Sequence, residues 1–295
     1  VGLAEGLSLK QTALKAGDRL SRFSVALPQA LSLCAREEVL SVSELAETVD
    51  RDVVITGNLL SLANSAFYSR GAQATSLRAA IVRLGIRKTR NVLLGLSVAR
   101  SFSSVEIAGK WSSARFNEHS LATAMFCDLI VQNTLTQNSE WAFGTGLLHD
   151  IGLLLIGAAF PDHLSTLSMY SNNDAELAQY EKELLGFTHF ELGAEFLSKW
   201  NYPAPVQQAV RNCPGVPVEF ARPLSLATAV RVGSLLADSN QFAIPGAAPA
   251  EDVSAELLGT LKVANPAKIL DAFRAEWQAF QEASSPSLVH QTVGK

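Results

Sequence analysis

The sequence predicts an all-α protein, and three observations carry that prediction. Apolar residues recur at helical spacing, as in Ile55, Leu59, Leu60, Leu62 and Ala63, or in Ile269, Leu270, Phe273, Trp277 and Phe280. Two capping boxes, Ser41-Val42-Ser43-Glu44 and Thr188-His189-Phe190-Glu191, mark helix starts. In each, a hydroxyl at the N-cap and a carboxylate three residues on satisfy two otherwise unpaired amides. No strand-like alternation of apolar and polar residues appears in the N-terminal half.

The elements follow in order. Residues 1–17 form a lead-in, either a short helix or a frayed end. Leu27-Pro28 opens a helix through about Ala35, with proline tolerated in the first turn. The first capping box starts a helix to about Val49, and Asp50 or Asp52 caps the next, which Asn64-Ser65 ends. Thr75-Ser76 opens another, with Leu77, Ala80, Ile81 and Leu84 on one face and Gly85 as its stop. A further helix runs from about Arg87 to Phe102, and residues 103–115 connect it to a second helical region. There the helices are expected at about 112–132, 139–158, 174–185, 188–200, 204–211 and 223–238, the last with Pro223 at its first position. The second capping box puts His189 in the first turn of its helix, which Asn201-Tyr202-Pro203 closes.

Residues 241–250, QFAIPGAAPA, read as a linker. Two helices lie beyond it, the second starting at Asn265-Pro266. The expected layout is a lead-in (1–17), an N-terminal helical subdomain (18–110), a second helical subdomain (111–240), the linker (241–250), C-terminal helices (251–283) and a flexible tail (284–295). The two subdomains should pack together, because no Gly/Ser/Pro-rich run separates Phe102 from Trp111.

At 295 residues the chain holds one large domain or two modest ones. Hydrophobic residues at 48% against 18% charged exclude a disordered chain. A net charge of −4 gives no global sign of nucleic-acid binding. Three cysteines, Cys34, Cys127 and Cys213, are widely spaced without a CxxC, which suits a reducing cytoplasm and argues against a disulfide framework. The N-terminal VGLAEGLSLKQ lacks a basic region followed by an apolar stretch, so no secretory signal is expected and the localisation expected is cytoplasmic.

The most informative stretch is residues 142–160, AFGTGLLHDIGLLLIGAAF, apolar or glycine almost throughout except at His149 and Asp150. A helix apolar on all sides is a core helix. A histidine and a carboxylate inside it must be hydrogen-bonded or metal-bound, because an unpaired buried charge costs several kcal/mol. Two ionisable groups near its centre and four glycines argue against a membrane span. Taken alone, the dipeptide reads most simply as a hydrogen-bonded pair that holds neighbouring helices in register.

Its surroundings make it specific. The segments Leu59 to Tyr68 (LLSLANSAFY), Ala79 to Ile86 (AAIVRLGI), His119 to Ala124 (HSLATA), Gly146 to Gly152 (GLLHDIG) and Gly186 to Ala194 (GFTHFELGA) occur in that order. Together they resemble the HD superfamily of metal-dependent phosphohydrolases, named for an adjacent His-Asp pair. The closer resemblance is to its HDOD (HD-related output domain) branch of bacterial signalling proteins, over roughly residues 18–240. The resemblance implies an HD-domain-like helical bundle with an N-terminal helical subdomain and a C-terminal helical extension.

It also implies a metal centre built from a histidine, the His-Asp pair and a late aspartate. His119 matches the first histidine, His149 and Asp150 the pair, and His189 a further histidine of multi-metal members. The chain departs from the pattern elsewhere. Gly233-Ser234 stands where relatives read alanine then aspartate, Asn212-Cys213 replaces a histidine pair, and there is no GYP loop. Asp238, four residues after Ser234, can share its helix face. The implied site is degenerate, with no cofactor expected or at most a weakly held Mn, Fe or Mg ion.

The function this implies is a non-catalytic signal-transduction module acting through contacts with other signalling proteins. One alternative is a phosphohydrolase or phosphodiesterase with a reduced metal site. Another is a binder of nucleotides, second messengers included, or of nucleic acid through the cationic 70–100 segment. Between Val53 and Val105 lie Arg70, Arg78, Arg83, Arg87, Lys88, Arg90 and Arg100 and no acid. Arg83, Arg87, Lys88 and Arg90 are the candidate anion-binding residues. The same run also reads as the solvated faces of two amphipathic helices. The acidic balance of the rest of the chain disfavours nucleic acid, and no membrane partner is expected.

Overall fold

The computed structural model describes residues 2–20, 41–50, 52–69, 71–103, 112–162, 174–244 and 251–284. In chain order the helices are α1 (Leu3–Leu20), α2 (Val42–Val49), α3 (Val53–Asn64), α4 (Leu77–Leu84) and α5 (Ile86–Ser103). Next come α6 (Ser113–Asn133), α7 (Ala142–Leu148), α8 (Ile151–Ala159), α9 (Asp174–Leu185) and α10 (His189–Lys199). The chain closes with α11 (Ala204–Asn212), α12 (Leu226–Ser239), α13 (Ser254–Thr260) and α14 (Pro266–Ser284). Among the described residues no strand forms; one isolated parallel bridge joins Thr136 to Leu224. The fold is all-α, as the sequence predicts.

The chain divides into two units, residues 1–28 with 97–269 and residues 29–96 with 270–295. In the second unit the local signals act as written. Ser41 and Glu44 form both halves of the capping box on α2. Asp52 accepts the amides of Val54 and Ile55 to start α3. Ser76 caps α4, and Gly85 ends it at a φ of +81°. The α3–α4 connection is stitched by Asn64, which bonds both backbone groups of Ala74, and by Arg83, which donates to Ala63 O and to Asn64 Oδ1. Lys88 pairs with Glu276 of α14.

The first unit is built on α6, which is buried on every face from His119 to Val131. It packs against α7 and α12, while α8 packs against α1 and α10, and α10 against α11. The lead-in is therefore an 18-residue helix, α1, inside this unit. The 139–159 stretch is long and apolar enough to cross a membrane, but 83% of its apolar window is buried in the protein.

Two expected helices are corrected. The stretch 139–158 is not one helix: a 3-10 turn (Ser139–Trp141) leads into α7, and the chain breaks at His149-Asp150 before α8. The His149 Nδ1–H donates to Gly146 O at 2.7 Å, the carbonyl that the amide of residue 150 would use in an unbroken helix. Pro223 does not open α12, which starts at Leu226 behind an N-cap at Ser225. Leu224 is instead held extended, its amide donating to Leu135 O and its carbonyl accepting from Gln137 N–H. The helix expected at 27–35, Cys34, Arg70, residues 245–250, His163, His290 and the tail beyond Ser284 lie outside the described residues.

Candidate metal centre

Three side chains from two adjoining segments converge in the first unit. His119 comes from the second turn of α6, and His149 and Asp150 from the break between α7 and α8. All three are at most 5% exposed. The two imidazole rings lie 5.3 Å apart, centre to centre.

Both rings are oriented by main-chain carbonyls. His119 Nδ1 meets Phe242 O at 2.9 Å, and His149 Nδ1 meets Gly146 O at 2.7 Å. A carbonyl only accepts, so each Nδ1 carries the proton and each Nε2 is free to bind toward the interior. There the two Nε2 atoms are 3.4 Å apart, and they lie 3.4 and 3.2 Å from Asp150 Oδ2. A triangle with these sides has a circumradius of about 1.9 Å, just under the usual metal–nitrogen and metal–oxygen bond of about 2.0–2.2 Å. An ion slightly above its plane reaches all three donors, so the residues fit a divalent metal.

Filled by protons alone, the centre is a charged network. Burial pushes the His119 imidazole down, but hydrogen bonds and charge from Asp150 and Asp238 outweigh it and hold the pKa up at about 10. Burial likewise pushes Asp150 up. The attraction of His149 and the hydrogen bonds from His119 and His149 override it, keeping the carboxyl well below its ordinary range. A metal ion therefore competes with a proton for His119.

The other candidate positions fall around this triangle. His189, the first residue of α10, points Nε2 at the second oxygen of Asp150, 3.8 Å away, so it stands beside the triangle rather than in it. The closeness depends on Gly152, where an added Cβ would sit 1.9 Å from His189 O. Glu181 of α9, fully buried, accepts from the His189 backbone amide and from its Nδ1, each at 2.7 Å. The sequence reading missed Glu181. Its signal was an acid on the buried Leu177–Glu181–Leu185 stripe of α9, where three apolar residues are expected.

Ser234 is half-buried on α12, and Gly233 beside it presses on α6. Asp238, one turn on, reaches His119 at Nδ1, 3.4 Å away, on the ring edge opposite the triangle. Asn212 ends α11 and is exposed, and Cys213 is a buried thiol in the following turn. Of the cations, Arg83 and Lys88 are engaged within the second unit as described, Arg87 is exposed, and Arg90 is half-buried.

Comparison with known proteins places this architecture. The HDOD domain family matches residues 23–214. An uncharacterised protein of Treponema pallidum (strain Nichols) is 24% identical over 190 residues, which span 61% of this chain. The match takes in 36% of that relative, so the chain spans about a third of its length. Two crystal structures share the fold. A candidate phosphohydrolase from Shewanella amazonensis is 23% identical with a TM-score of 0.67, covering 93% of this chain and 98% of that one. A candidate signal transduction protein from Marinobacter aquaeolei is 17% identical with a TM-score of 0.68, covering 96% of this chain and 66% of that one. With nearly two thirds of its length matched and the His-Asp pair set between helices of an all-α bundle, this chain belongs to the HDOD domain family.

Proposed function

We propose that the chain is a signal-transduction module that works through contacts with other proteins and does not hydrolyse phosphate esters. One observation carries the reading. Position 234 is serine, and the nearby acid, Asp238, meets His119 from the side away from the donor triangle. The triangle thus has one carboxylate, where hydrolytic relatives are implied to use two. An ion held by two neutral imidazoles and one carboxylate is weakly anchored, and water activation needs an ion fixed in place. The nitrogen-rich donors favour Mn or Fe over Mg. The buried thiols Cys127 and Cys213 support a reducing, cytoplasmic setting.

The rival reading is a phosphohydrolase with a reduced site, favoured by the 3.2–3.4 Å donor spacing. A divalent ion there would supply a lowered water pKa and charge stabilisation at phosphorus. The deciding experiment uses protein purified without chelator. Its metal content is measured, and hydrolysis of bis(p-nitrophenyl) phosphate is followed with added Mn. The expected result is no turnover above the protein-free rate, with His149→Ala lowering thermal stability. Chelator-sensitive turnover, abolished by His149→Ala at unchanged melting temperature, overturns the non-enzymatic reading.

A further inference from the structure

The Nδ1 edge of His119 is served by one piece of chain, the C-terminal turn of α12. That turn closes as a Schellman motif: Phe242 N–H donates to Ala237 O at 2.9 Å, and Gln241 N–H to Asp238 O at 3.1 Å. Gln241 takes the left-handed position, at a φ of +72°. The reversal swings the carbonyl of Phe242 onto His119 Nδ1 at 2.9 Å, and the Asp238 carboxylate reaches the same nitrogen at 3.4 Å. Two acceptors of different kinds thus stand behind one ring nitrogen. The carbonyl is the shorter contact and sets the orientation. The carboxylate adds a full negative charge.

We propose that Asp238 is the outer carboxylate of the metal centre, a positioning residue that strengthens the hold of His119 on an ion at Nε2 without touching the ion. With a carboxylate 3.4 Å behind its Nδ1, the His119 imidazole is a better donor at its other nitrogen, while the Phe242 carbonyl fixes the direction of the ring. Placed one turn beyond Ser234, the acid sits behind the histidine instead of in the coordination sphere. His189 and Glu181 repeat the carboxylate–histidine pairing, but His189 stays outside the triangle. Asp238 differs from Glu181 in being about one-third exposed, at 33%, so it can be replaced without opening the core. The inference rests on the triangle taking a divalent ion, and not on whether the loaded protein hydrolyses anything.

The test is a Co²⁺ titration of the full chain, read by d–d absorption, on the wild type, Asp238→Asn and Asp238→Ala. Glu256→Gln, an exposed acid on α13, controls for net charge. The Kd for Co²⁺ should rise about tenfold in Asp238→Asn, which keeps an acceptor oxygen, and up to about a hundredfold in Asp238→Ala. The d–d band should shift, and the metal-free melting temperature should fall modestly, because Asp238 also faces the protonated His119. A purely structural role would lower the melting temperature and leave the band in place, which overturns the proposal. So does a Kd for Asp238→Ala within twofold of wild type. A wild-type protein with no Co²⁺ band removes the triangle's metal binding and the proposal together. Hydrolysis of an ester would instead touch only the non-enzymatic reading.

Discussion

Gly152→Ala tests the crossing that holds the centre together. The added methyl would lie 1.9 Å from His189 O, 2.6 Å from His189 C and 3.0 Å from its Cα. All three are main-chain atoms at the start of a helix, so no side chain can swing aside. Restoring ordinary contact requires α8 and α10 to separate by about 1.5 Å at this point. Overpacking of this kind costs about 1–3 kcal/mol, and a clash that only main chain can relieve belongs near about 3 kcal/mol. For a unit of this size that is a fall in melting temperature of roughly 6–12 °C. Gly193→Ala is the internal comparison, because its methyl would meet Gly152 N and Ile151 Cγ2 at 3.3 Å, a contact a small adjustment relieves. Circular dichroism melts of both variants and the wild type measure the difference. If Gly152→Ala melts within 2 °C (about 1 kcal/mol) of wild type, the close crossing, and the placement of His189 beside Asp150 that depends on it, is wrong.

Three other outcomes are expected. Glu181→Ala strips the acceptor from a buried amide and a buried imidazole N–H, costing about 3 kcal/mol or more, while Glu181→Gln keeps one acceptor and should cost less; urea titrations of each give the values. The folded pKa of His119, about 10, lies above its ordinary 6.5, so the folded state binds the extra proton. That stabilisation is complete below pH 6.5, declines by up to about 1.4 kcal/mol per pH unit and is gone above about pH 10; His119→Gln should lack this slope in denaturation series from pH 6 to 10.5. Ser234→Asp adds an anionic oxygen at position 234 and should tighten Mn binding roughly tenfold by isothermal calorimetry, an unchanged affinity counting against that position's facing the triangle.

What the sequence made legible was local. The capping boxes at Ser41 and Thr188 and the cap at Asp52 act within four residues, and each appears where the pattern put it. The break at His149-Asp150 was hidden, because the apolar pattern runs straight through it. It depends on a histidine turning back on Gly146 and on α10 crossing at Gly152, neither of which periodicity encodes. Pro223 misled for a similar reason: proline suits a helix start, but Leu224 was already committed to the backbone of residues 135–137. Spacing placed Asp238 on the helix face of Ser234, yet which edge of His119 it met was settled by the packing of α12 on α6. Glu181 stood out only as an acid on the apolar stripe of α9, and spacing does not name its partner, which is eight residues on across a turn.

The directions of both ring planes are written into main-chain atoms, the carbonyls of Gly146 and Phe242. Point mutation changes side chains and leaves carbonyls in place. The two imidazoles can therefore keep facing Asp150 while the residues around them drift. A change at position 234 alters a side chain of α12 and touches neither carbonyl. Substitutions around the site therefore change one side-chain contribution at a time, against a frame that the main chain holds fixed.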